Sequence, residues 1–93
     1  MKTYYLIMFQ RKTGKIVTTM SGLSSAMLQL VALQKTTPTR DTVIFDEDGE
    51  IVYYVEGKKY GFPQAQDDML GRHIDDLCPG ILDALKAEYA KAE

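Results

Sequence analysis

The sequence predicts an α+β domain: a four-stranded, mainly antiparallel sheet with element order ββαββαα and helices on one face. Two pairs of β-rich runs are each joined by a short turn ending in glycine, "RKTG" and "DEDG". Between and after them lie segments whose apolar residues recur at helical spacing. No repeat or linker interrupts the series, and 93 residues suffice for one modest core, so residues 1–93 are expected to be a single domain.

"TYYLIMFQ", residues 3–10, is apolar and aromatic almost throughout, as a central strand buried on both faces must be. Gly14 supplies the left-handed residue of a tight loop, and "KIVTTM" returns antiparallel with β-branched Ile16, Val17, Thr18 and Thr19. In "SGLSSAMLQLVALQK", Leu23, Met27, Leu30, Val31 and Gln34 fall on one helical stripe, with Ser21 or Ser24 as N-cap. Pro38 ends that helix, and "TTPTRD" suits a loop. "TVIF", "DEDG" and "EIVYYV" form a second hairpin, because Gly49 can take positive φ while its acidic neighbours stay in water. "EGKKYGFPQAQ" reads as loop with at most a turn of helix. Met69, Leu70, His73, Ile74 and Leu77 then mark a short amphipathic helix with His73 on its apolar face. Pro79 suits position N1 of a last helix whose buried stripe is Ile81, Leu82, Leu85 and Tyr89.

Composition narrows the function classes. With 45% hydrophobic and 26% charged residues the chain reads as globular, and no apolar run approaches the length of a membrane span. The stretch "MKTYYLIMFQRK" has too short an apolar run and no small-residue cleavage site for a secretory signal, so the cytoplasm is the expected compartment and no membrane partner is expected. A single Cys78 and a single His73 leave no intrachain disulfide and no closed Cys/His metal site. Charge is divided unevenly: residues 1–40 hold Lys2, Arg11, Lys12, Lys15, Lys35 and Arg40 and no acid, while all 13 acids lie beyond residue 40. Opposite faces that meet within the fold or between subunits explain such a division. Six cations spread over 40 residues form no dense stripe, which argues against nucleic acid.

No residue set reads as catalytic machinery. The acids Asp46, Glu47, Asp48 and Glu50 lack calcium-loop spacing, because Gly49 arrives at position 4 where position 6 is required. His73 has no nucleophile beside it in sequence, and Cys78 reads as a small packed residue. The pairs Asp67, Asp68 and Asp75, Asp76 are consecutive and would diverge around a helix, so neither is a facing dyad. The chain is read as a non-enzyme with no metal.

The blocks "VIFDEDGEIVYY" and "GRHIDDLCPG" carry a further signal. Asp46, Gly49, Ile51 and Tyr53, followed by Gly71, Arg72, Ile74, Asp76, Leu77 and Pro79, resemble the first half of PAS sensory domains over residues 42–89. Val55 stands where that family usually has Asn, and Gly57, Gly61 and Pro63 fall where it has helix formers. "FQRKTGKIVTT" looks like a hairpin of the family's later half, so a permuted or abbreviated PAS-like sheet is expected, with residues 3–20 beside residues 42–55. The resemblance implies a small regulatory module acting by contact with a protein partner or by homodimerisation, with small-ligand sensing. Its ligand site would be lined by Phe45, Tyr53, Met69, Leu70, Ile74 and Leu77, with His73 as the polar group. No cofactor is implied, since Ile74 occupies the place of the flavin-linked cysteine. The alternative is a cytoplasmic adaptor unrelated to PAS domains, with a filled core and no ligand.

Overall fold

A computed structural model describes residues 2–35, 39–57, 64–65 and 67–90. The chain runs β1 (Tyr4–Gln10), β2 (Ile16–Leu23), α1 (Leu28–Lys35), β3 (Arg40–Asp46), β4 (Ile51–Glu56), β5 (Gln64–Ala65) and α2 (Ile81–Ala90). The strands form one antiparallel sheet in the order β2-β1-β3-β4-β5. The expected class, the four long strands and the order of elements are present, and the two-residue β5 extends the sheet beyond them. The expected Pro38 stop and most of the loop over residues 57–66 lie outside the described residues.

The β1–β3 pairing places residues 3–20 beside residues 42–55, with Tyr4 opposite Asp46 and Gln10 opposite Arg40. Alternation along these strands divides the core in two. Tyr5, Ile7, Phe9, Val43, Phe45 and Tyr54 point to one face and pack with Ile74, Leu82 and Leu85. Leu6, Ile44 and Val55 point to the other and pack with Val31 and Ala32 of α1. The helices therefore cover both faces of the sheet, where the sequence reading has them on one. The cause is the central strands themselves: β1 and β3 are apolar at successive positions, so each face needs its own cover.

Burial of Leu85 alone stabilises by about 1.5–3 kcal/mol, and the same face adds ring packing of Tyr5 on Phe45, with centroids 5.8 Å apart. Tyr89 closes α2 onto the sheet through its hydroxyl, 3.0 Å from Thr19 Oγ1. The stripe expected for α2 is the one that packs, although Pro79 is not its first residue. Pro79 and Gly80 form a turn in which the Ile81 N–H donates to the Cys78 carbonyl at 3.2 Å, and the helix begins after it.

Two helices differ more. Strand β2 continues through Ser21, Gly22 and Leu23, with Gly22 bulged between the partners of Tyr4 and Tyr5. A 3₁₀ turn at Ser25–Met27 follows, and α1 starts only at Leu28. Its buried side is Val31 and Ala32, while Met27 and Leu30 are 50% and 56% exposed. In place of a helix from Met69 to Leu77 there are two 3₁₀ turns, Asp67–Met69 and Ile74–Asp76, separated by Gly71 at φ +85°. Three residues per turn replaces 3.6, and His73 leaves the apolar side to become the N-cap of the second turn.

Candidate functional site

The antiparallel register of β1 and β3 sorts polar side chains to two ends of the sheet. At one end stand the β1–β2 loop, the start of β3 and the end of β4. Asp41 is buried there and accepts four hydrogen bonds. Arg11 donates to its Oδ1 from Nε at 3.1 Å and Nη2 at 2.7 Å, Gly57 N donates to Oδ1 at 3.2 Å, and Tyr54 OH donates to Oδ2 at 3.0 Å. Arg11 Nη2 also donates to the Gly57 carbonyl, and Nη1 lies 3.4 Å from Glu56. Burial, then the adjacent Asp41 charge, pushes the Tyr54 phenol well above the ordinary tyrosine range. The hydrogen bond to Asp41 raises Arg11 further above its already high value.

The loop beyond this clamp is built by its own backbone. Gly14 N donates to the Gln10 carbonyl at 2.7 Å and Gln10 N to the Lys15 carbonyl at 2.9 Å, which leaves Lys12 and Lys15 exposed. A surface cleft of about 430 Å³ opens here between Gln10, Arg11, Lys12, Thr13 and Thr39. A smaller one, about 240 Å³, lies between Arg11, Asp41, Tyr54, Glu56, Asp68 and Met69.

At the other end, Asp46 organises the β3–β4 turn. Its Oδ1 accepts from Asp48 N at 2.9 Å and Glu50 N at 3.0 Å, and its Oδ2 is 3.3 Å from Lys2 Nζ. Burial alone would raise its pKa, but the Glu50 N–H, Lys2 and the Asp48 N–H together outweigh that and hold the carboxyl below the usual range. Residues 71–74 run beside this turn. Ile51 N donates to the Arg72 carbonyl at 2.8 Å, Gly71 N to the Ile51 carbonyl at 2.9 Å and Ile74 N to the Gly49 carbonyl at 2.7 Å. His73 bridges to Glu50, and its Nδ1 accepts from Asp75 N at 3.0 Å.

Of the residues expected to line a ligand site, Phe45 and Ile74 lie in one cluster at 0% exposure, with Met69 and Leu77 packed against it. Tyr53 is on the opposite face beside Val52, Leu70 is 42% exposed, and His73 lies out on the turn. Cys78 is half-buried against the first cluster, and burial pushes its thiol up, as suits a packed residue.

The Asp41 clamp is absent from the sequence reading. Its signal was available: an Asp immediately before "TVIF" is placed in a strand rather than in a loop. Its partner Arg11, however, lies 30 positions away, and no local spacing reveals it.

Fold and geometry together define a small α+β domain with a core cluster on each face of its sheet and a buried carboxylate, Asp41 or Asp46, anchoring each end. No family model, no curated protein and no solved structure matches the chain. Among the described residues, no helix is long and apolar enough to cross a membrane.

Proposed function

We propose that the chain is a small, non-catalytic, PAS-like regulatory module of the cytoplasm that acts by protein–protein contact or dimerisation. The observation that carries this reading is the burial of Phe45 and Ile74 in one core cluster, both at 0% exposure. The apolar positions that would line a ligand site are spent on one another, so recognition falls to the surface. Support for the PAS-like character comes from the hydrogen bonds between residues 49–51 and 71–74, which join the two resembling blocks into one unit. Cover on both faces of the sheet also suits an adaptor unrelated to that family. Native mass spectrometry and absorption spectroscopy of the purified protein test this reading against small-ligand sensing. A clean apo mass with no chromophore is expected. A stoichiometric mass excess would move recognition back to a small ligand.

A further inference from the structure

We infer that the two ends of the sheet are the two halves of a head-to-tail contact between copies of this chain, a step that rests on the protein-contact reading above. Three intramolecular pairs, Lys2–Asp46, Arg11–Asp41 and Arg11–Glu56, already join the basic front of the sequence to its acidic back. Apart from Asp68, which lies beside Arg11, what they leave over is sorted by position. Lys12 and Lys15 on the β1–β2 loop, with Arg40 opposite Gln10, stand at one end and are in no ion pair among the described residues. Glu47, Asp48 and Glu50 stand at the other, with Asp75 beside His73, and outnumber the cations there, Lys2, which is paired with Asp46 and lies in the field of Asp48 and Glu50, and Arg72.

Seven strand residues separate the ends, which at about 3.4 Å per residue is roughly 20 Å. The Debye length at 0.1 M salt is about 10 Å, so the two ends do not neutralise each other across the sheet. Each attracts its opposite in solution. The occupant that fits the cleft beside Arg11 and Lys12 is the acidic turn at Glu47–Glu50, where Asp48 and Glu50 are exposed, of a second copy. A polyanion such as nucleic acid fits less well, because the formal net charge is −2 and the far end is acidic. The contact joins unlike patches and is therefore heterologous, so copies add in a row or close into a ring.

Sedimentation velocity of the full chain over a wide concentration range tests this. The mean mass should rise with concentration at about 0.05 M salt and return to that of the monomer at about 1 M, where the Debye length is about 3 Å. Lys12→Gln with Lys15→Gln removes one end, and Glu47→Gln with Glu50→Gln removes the other. Each double variant, checked for folding by circular dichroism, should lose about tenfold or more in self-association. An equimolar mixture of the two variants should give a 1:1 complex and nothing larger. A wild-type chain that stays monomeric at low salt, or variants that assemble as it does, would overturn the inference. So would saturable binding of inorganic phosphate by a chain that remains monomeric. Neither result touches the protein-contact reading, which fails instead on a bound small molecule in the native mass.

Discussion

His73 lies across Gly49: a β-carbon built on Gly49, at φ +88°, would stand 2.4 Å from Nε2 of the imidazole. The glycine is thus required twice, by its left-handed backbone and by the ring that covers it. Gly49→Ala is expected to destabilise by about 1–2 kcal/mol from backbone strain alone, with the steric conflict added to it. In a His73→Ala background the second part should disappear. A urea-melt double-mutant cycle reads the coupling, and an equal cost of Gly49→Ala in both backgrounds would remove the ring from that position.

The Asp41 clamp predicts an alkaline signature. Tyr54 titrates higher in the folded than in the unfolded protein, so its contribution is fully present below about pH 10 and is lost as pH rises through the folded value. Stability should fall above pH 10 by up to about 1.4 kcal/mol per pH unit from this group, and Tyr54→Phe should remove that slope. Asp41→Ala leaves the Tyr54 hydroxyl and the Gly57 N–H without their acceptor, while the half-exposed Arg11 keeps the Gly57 carbonyl and Glu56. Loss of about 1–3 kcal/mol for each stranded donor is expected, measured by denaturant midpoint.

Asp46 gives the opposite limb. Its folded pKa lies below the unfolded value of 3.8, so its contribution is present above that value and lost as pH falls through the folded one. Asp46→Asn should lower the thermal midpoint at neutral pH and flatten its acid decline. An unchanged acid limb would mean that the turn does not depend on the carboxylate.

The face of α1 can be checked by substitution. Leu30→Glu, at a half-exposed position, should change stability by no more than about 0.5 kcal/mol. Ala32→Leu, at a position with 0% exposure against Leu6, Ile44 and Val55, should cost about 1–3 kcal/mol through overpacking. The reverse ranking would restore the stripe through Met27 and Leu30.

That stripe shows where periodicity misleads. Strands β1 to β4 and helix α2 were legible because alternation, turn glycines and 3.6-residue spacing are properties of neighbours in sequence. The stripe from Leu23 spans two elements: Leu23 belongs to β2, and the 3₁₀ turn at Ser25–Met27 turns Met27 and Leu30 outward while Val31 stays buried. Around His73, Gly71 broke a pattern that its apolar residues alone would support. Of the expected ligand-site residues, Phe45 and Ile74 do come together, but Tyr53 follows the pleat to the other face. The cooperation of Arg11, Asp41, Tyr54 and Gly57 depends on strand order, which no window along the chain contains.

The placement of β1 between β2 and β3 also sets a kinetic order. Each hairpin closes over a short loop, whereas joining β1 to β3 brings together residues from Gln10 and Arg40, 30 positions apart, to Tyr4 and Asp46, 42 apart. Isolated hairpins form in about 1–10 μs, while the long closure pays its chain entropy before the central contacts repay it. We therefore expect the docking of two preformed hairpins, at the Ile7–Val43 level, to be the folding barrier. Ile7→Val should then slow refolding in stopped-flow mixing nearly in proportion to its stability loss. Tyr89→Phe, on the late-packing α2, should instead speed unfolding.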